Sequence, residues 1–185
     1  VDQKQHLEIT RDIAERFNNI YGDVFTIPEA YIGKKGAKIM SLQEPGKKMS
    51  KSDTNANATI LLLDDTDTII RKFKRAVTDS ESEVRYAEEK PGISNLMDIY
   101  SAVTGKTYEE IEKEFAGKGY GDFKLAVGET VADHLKPLQE RYEQLMKDKA
   151  YIESMIKQND EKAAYYANKT LRKVQKKVGL TERIR

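Results

Sequence analysis

The 185-residue sequence contains no cysteine, which excludes disulfides, thiolate zinc sites and a cysteine nucleophile. Histidine is nearly as scarce. His6 and His134 are far apart in sequence, which argues against a histidine-based metal site. The longest apolar run is Leu61, Leu62 and Leu63, far short of the ~20 residues that a membrane-spanning helix needs. No signal peptide is visible, and a reducing, cytoplasmic location is the expectation. An excess of one charge is also missing, since 32 Lys and Arg face 31 Asp and Glu. Bulk charge therefore indicates no partner, and only local clustering can do so. Charged residues make up 34% and hydrophobic residues 38%, the balance of a folded, helix-rich chain rather than a disordered one.

The chain starts at Val1 rather than Met, and Asp2 stands where a helix N-cap is wanted, so a piece of a longer protein is expected. Ile9, Ile13, Phe17 and Ile20 recur at helical spacing and predict an amphipathic helix over 3–20, closed by Gly22 in a left-handed C-cap. Residues 24–27, ahead of Pro28, and residues 37–42 read as short strands or extended segments. A polar loop fills 43–57. Beyond residue 58 the pattern is helical: 65–77, 93–103, a short helix opened by a Thr107/Glu110 capping box, a long helix over about 121–147 kinked at Pro137, and a last helix over 160–178. The shift from mixed α/β to all-α near residue 55 is the expected domain boundary.

The sharpest feature lies in the polar loop: Lys48-Met49-Ser50-Lys51-Ser52. At average residue usage a given pentapeptide matches a given site with odds on the order of one in a million. Read from composition alone, a polar loop with two lysines is a solvated basic surface. The pentapeptide is the KMSKS signature, and the chain resembles the class I aminoacyl-tRNA synthetases. Other stretches narrow the likeness. Residues 2–6 (Asp-Gln-Lys-Gln-His), 37–42 (Ala-Lys-Ile-Met-Ser-Leu), 76–80 (Ala-Val-Thr-Asp-Ser), 91–96 (Pro-Gly-Ile-Ser-Asn-Leu) and 117–121 (Gly-Lys-Gly-Tyr-Gly) resemble, in order, segments of bacterial-type tryptophanyl-tRNA synthetases. Tyrosyl-tRNA synthetases share that architecture and are the nearest alternative. A non-catalytic helical RNA-binding module is the other.

The resemblance implies a fold that passes from α/β to mostly α. Residues 1–55 would be the C-terminal part of a Rossmann-like nucleotide-binding domain, and 56–185 a helical anticodon-binding domain whose last helix packs back on the catalytic domain. It implies a tryptophan–tRNA ligase that uses ATP with Mg²⁺, forms tryptophanyl adenylate and charges tRNA(Trp) as a homodimer. Lys48 and Lys51 would be the catalytic pair, meeting the charge that grows on departing pyrophosphate. Asp2, Ile39, Lys48, Met49, Ser50, Lys51 and Ser52 would contact ATP, Asp2 at the ribose and the Ile39 backbone at adenine. Gln3 is a weaker choice on the same helix. No residue is assigned to a protein-bound metal. The family has a Gly and an acid before the Asp, where this sequence has only Val1. It also has a HIGH-like tetrapeptide that does not occur here. The chain alone is therefore expected not to form adenylate.

Blander readings apply elsewhere. His6 is expected to be packed or capped, and His134 core or near-core. The acidic pairs Asp64-Asp65 and Glu88-Glu89 fit helix flanks better than metal ligation. Tyr165 and Tyr166 fall at helical spacing. Residues 162–185 carry eight Lys or Arg against one acid, Glu182, and Arg71, Lys72, Lys74 and Arg75 form a second basic cluster. Both clusters suit a phosphate backbone as well as a solvated face.

Overall fold

The computed structural model describes residues 3–31 and 38–180. Six α-helices are found among them: α1 (Lys4–Tyr21), α2 (Thr66–Lys74), α3 (Pro91–Thr104), α4 (Tyr108–Glu114), α5 (Tyr120–Met146) and α6 (Lys149–Lys177). The chain divides into two compact units, Val1–Ile32 with Gln144–Arg185, and Gly33–Glu143. The boundary expected near residue 55 falls within the second.

The core of the second unit is built by α2 to α5. Ile69 and Phe73 of α2, Ile93, Leu96 and Met97 of α3, Ile111 of α4, and Phe123 and Val127 of α5 are all but excluded from solvent. Phe115 and Phe123 meet edge to face at 4.8 Å, with Tyr100 within 6 Å of both. Backbones approach closely at two glycines. A Cβ on Gly92 would sit 2.3 Å from the Val77 carbonyl oxygen, and one on Gly128 would sit 3.0 Å from Ile70 Cα. Only hydrogen fits at Gly92, and a side chain at Gly128 would press on α2.

Local signals fix the helix ends. Asp65 caps α2 by accepting from Thr68 N–H at 2.8 Å. Thr107 and Glu110 form the full capping box of α4, and Gly105 closes α3 with φ +79°. A buried polar knot ties residues 79–90 to α5. Lys90 Nζ donates to Glu81 at 2.6 Å, to the Tyr120 hydroxyl at 2.8 Å and to Asp79 at 3.2 Å. The Tyr120 hydroxyl donates in turn to Asp79 Oδ1 at 2.7 Å. Burial disfavours the Lys90 ammonium, but these bonds outweigh it and hold its pKa above the usual lysine range.

Several expectations are corrected. The described residues contain no β-strand: 24–27 and 38–42 join no ladder and bend at Phe25, Lys38 and Leu42, one isolated antiparallel bridge pairs Met40 with Lys48, and Ala37 lies outside the described residues. The Rossmann-like reading thus finds only helices here. The N-cap of α1 is Gln3, which makes no side-chain cap bond, and Asp2 lies outside the described residues. Gly22 takes φ 83° with ψ 169°, outside the left-handed helical well. Ile9, Ile13 and Ile20 are exposed, and Ala14 is the buried residue of α1. Helix α2 ends at Lys74, three residues short of the expected Val77, because residues 76–78 leave the helix to cross α3 at Gly92. Helix α6 begins at Lys149, eleven residues before the expected start, with Asp148 accepting from Tyr151 N–H as its cap. His134 is exposed, although Val131 and Ala132 in the turn before it are buried.

Candidate phosphate-binding loop

The signature loop grows from a stem that the helices hold. Asn95, on α3 and 3% exposed, grips one residue of that stem with both ends of its amide. Its Oδ1 accepts from Met40 N–H at 2.8 Å, and its Nδ2 donates to the Met40 carbonyl at 2.9 Å. Met40 bridges Lys48, and Met49 N–H donates to the Ile39 carbonyl at 3.0 Å. Two further backbone bonds, Leu42 N–H to Ala58 O and Val77 N–H to Leu42 O, tie the stem to the chain on both sides of α2. Ile39, Met49 and Ile60 pack on the main core as partly buried residues.

The loop itself folds by short polar contacts. The Ser50 and Ser52 hydroxyls are 2.9 Å apart, and Ser52 N–H donates to Ser50 Oγ at 3.3 Å. Asp53 N–H reaches the Ser50 carbonyl at 3.2 Å. Beyond the turn, Asp53 and Asn55 each accept the backbone N–H two residues on, at 2.8 and 3.0 Å. Turns of this kind place successive polar side chains on a compact bend. Lys48, Ser50, Lys51 and Ser52 are all exposed on it, while Met49 is half-buried. Just before them, Lys47 pairs with Glu44, which raises its pKa above the ordinary lysine value.

Of the residues expected to contact ATP, the structure brings Ile39 and Lys48–Ser52 together. The link is the bond from Met49 to the Ile39 carbonyl. Asp2 lies outside the described residues. Three residues with a part in the loop's geometry were not linked to it in the sequence: Asn95, Thr59 and Lys72. A signal existed for Asn95, a polar residue among Ile93, Leu96 and Met97 on a helix buried nearly all round. None existed for Thr59. Lys72 was misleading, because its neighbours Arg71, Lys74 and Arg75 disguise a buried cation as part of a basic face.

Other side chains resolve simply. Asp64 pairs with Lys72 and Glu89 with Arg85 at 2.9 Å, so neither acidic pair is organised for a metal. Among the described residues no group of three or more His, Cys, Asp or Glu could hold a metal ion. No described helix is long and apolar enough to cross a membrane. His6 is exposed at the start of α1, and Tyr165 and Tyr166 are exposed on α6 with their rings 5.4 Å apart.

Comparison with known proteins decides the family. Residues 1–136 match the family model described as tRNA synthetases class I (W and Y). The chain belongs to the class I tRNA synthetases. It is 54% identical over 178 residues to the tryptophan–tRNA ligase of Clostridium tetani, covering 96% of this chain and 53% of that protein. It is 53% identical over 180 residues to the tryptophan–tRNA ligase of Listeria monocytogenes, covering 97% and 54%. Among solved structures, the tryptophanyl-tRNA synthetase of Mycoplasma pneumoniae superposes with a TM-score of 0.86 at 31% identity, covering 97% of this chain and 54% of that one. That of Campylobacter jejuni, complexed with ADP and tryptophan, gives 0.67 at 30% identity, covering 97% and 55%. The chain spans about half the length of the curated relatives it matches.

Proposed function

We propose that this chain supplies the phosphate-binding loop and the RNA-facing helical region of a tryptophan–tRNA ligase. The carrying observation is the exposed Lys48–Ser52 turn on a stem that Asn95 holds at Met40, in a chain about half identical to tryptophan–tRNA ligases. The reaction joins tryptophan to ATP as tryptophanyl adenylate, with pyrophosphate leaving, and then transfers tryptophan to tRNA(Trp).

In that reaction negative charge accumulates on the departing pyrophosphate. The Lys48 and Lys51 ammonium groups, on flexible stems above a pinned turn, follow that charge. The Ser50 and Ser52 hydroxyls can exchange their mutual bond for phosphate oxygens, and the turn's N–H groups add donors. An exposed loop that closes on its ligand applies binding energy as the reaction proceeds rather than before it. The Ile39 backbone meets adenine, beside the half-buried Met49, and Asp2 takes the ribose hydroxyls. Mg²⁺ accompanies the ATP on this reading, held chiefly by its phosphates. The ADP and tryptophan of the Campylobacter relative support nucleotide and amino acid as ligands of this family's site.

Residues 1–55 belong, on this reading, to a Rossmann-like nucleotide-binding domain and the helices beyond to anticodon recognition. The exposed basic residues of α6 (Lys162, Lys169, Lys173, Lys176 and Lys177 among them) suit an RNA backbone. The working enzyme is a cytoplasmic homodimer. Amino-acid-dependent ATP–pyrophosphate exchange by the full-length protein carrying this sequence tests the assignment. Exchange should depend on tryptophan. Exchange driven by tyrosine would favour the tyrosyl alternative, and none with any amino acid would favour the non-catalytic one.

A further inference from the structure

Lys72 stands apart from the basic residues around it. It is 5% exposed, and its ammonium donates to Asp64 Oδ2 at 2.6 Å and to the Thr59 carbonyl at 2.9 Å. Asp64 Oδ2 also accepts from Leu61 N–H at 2.9 Å. A cation withdrawn from water persists only when its protons find acceptors, and here one acceptor is the backbone of a loop residue. The pair thereby fixes Thr59 against α2. The hydroxyl of the same residue reaches into the signature turn, with Oγ1 donating to the Ser50 carbonyl at 2.8 Å. Asp64, Lys72, Thr59 and Ser50 thus form a continuous run of hydrogen bonds from a buried helix residue to the middle of the pentapeptide.

We propose that Thr59, oriented by the buried Lys72–Asp64 pair, is a positioning residue that sets the turn carrying Lys51 for phosphate binding. The proposal rests on the reading above that Lys48–Ser52 meets the phosphates of ATP. A lysine on a flexible stem stabilises developing charge only if the turn that carries it keeps its register as the loop closes. The Ser50 carbonyl accepts from Asp53 N–H within the turn and from Thr59 outside it. The first bond closes the turn on itself, and the second registers it on α2. Loss of the second leaves a turn that can form but can shift as a body.

The side chain of Thr59 is part-exposed, so Thr59→Val removes the hydroxyl at nearly constant volume with little risk to folding. In the full-length protein carrying this sequence, Thr59→Val should lower the rate of adenylate formation about three- to tenfold, the effect of one hydrogen bond. The KM for tryptophan should be unchanged, and the backbone N–H groups of residues 51–53 should exchange faster with deuterium. Thr59→Ser should restore the rate. Lys72→Met should slow the same step, and adding Thr59→Val to it should cost little more, because both act through one run of bonds. A Thr59→Val protein as fast as the unsubstituted one overturns the proposal, as does a Thr59→Ser protein as slow as Thr59→Val. Lys51→Ala, measured in parallel, separates the failures. Full activity there overturns the phosphate reading and this proposal together, whereas a slow Lys51→Ala beside a fast Thr59→Val overturns the proposal alone.

Discussion

At the scale of single residues, the amide of Asn95 shows how a polar side chain comes to lie in an apolar helix. Backbone N–H and C=O groups that leave water must find partners, and Met40 finds both of its own on one side chain. Replacing Asn95 by Leu keeps the volume but leaves the part-buried Met40 groups without that partner. Urea unfolding of Asn95→Leu should show a loss of about 2–4 kcal/mol. A loss below about 0.5 kcal/mol would mean that the stem is held by other means. Asp79 provides a second case, with a sign that can be worked out. Burial pushes its pKa up, but Tyr120, the Glu81 N–H and Lys90 outweigh that and hold it below the ordinary aspartate value. A group depressed in the folded state contributes stability that is complete above its unfolded pKa of about 3.9 and is lost as pH falls through the folded value. Thermal melts from pH 6 to pH 2.5 should therefore fall less steeply below pH 4 for Asp79→Asn than for the unsubstituted chain. Parallel curves would assign the acid sensitivity to other carboxylates.

At the scale of elements, the signals that were legible are those in which a residue acts on its immediate neighbours. Asp65, Thr107 and Gly105 cap their helices through bonds to residues within one turn, and such bonds do not depend on what the helix packs against. On α5 the spacing of four that runs through Phe123, Val127 and Val131 marks residues that are all buried, although Leu138 and Tyr142 farther along are exposed. What could not be read is where a long-range contact overrides local preference. Residues 38–42 have strand-like side chains, but beyond the single bridge with Lys48 their hydrogen bonds go to Asn95 and Ala58 rather than to a further strand. The turn of the signature was legible as a loop, because its residues are polar. Its supports were legible only in part: Asn95 is a polar residue on the apolar α3, whereas nothing in the sequence marks Thr59 ahead of α2. Helix α1 shows the opposite divergence: a clear apolar period whose Ile13 is 64% exposed. Ile13→Asp should accordingly change the stability of this chain by less than about 0.5 kcal/mol, the range of surface substitutions. A loss of several kcal/mol on chemical unfolding would show that Ile13 is covered in solution.

At the scale of the whole molecule, the helices α2 to α5 form a rigid mount and the pentapeptide is what they carry. The core side chains at the centre of the mount are all but solvent-free, while the lysines at its edge are exposed. That division suits a loop that must move onto a ligand from a fixed base. The chain covers about half of each relative, so chemistry that needs the whole enzyme is not expected of these residues alone. Pyrophosphate exchange by the 185-residue chain should stay at background, because positioning of the substrates is lost along with much of the site. The central claim is that Lys48 and Lys51 act on the phosphates as adenylate forms. Single-turnover adenylate formation by the full-length protein tests it most directly. Lys48→Ala and Lys51→Ala should each slow that step by roughly a hundred- to a thousandfold, with tryptophan affinity nearly unchanged. A weakening confined to ATP binding, with the chemical step as fast as in the unsubstituted enzyme, would contradict the account.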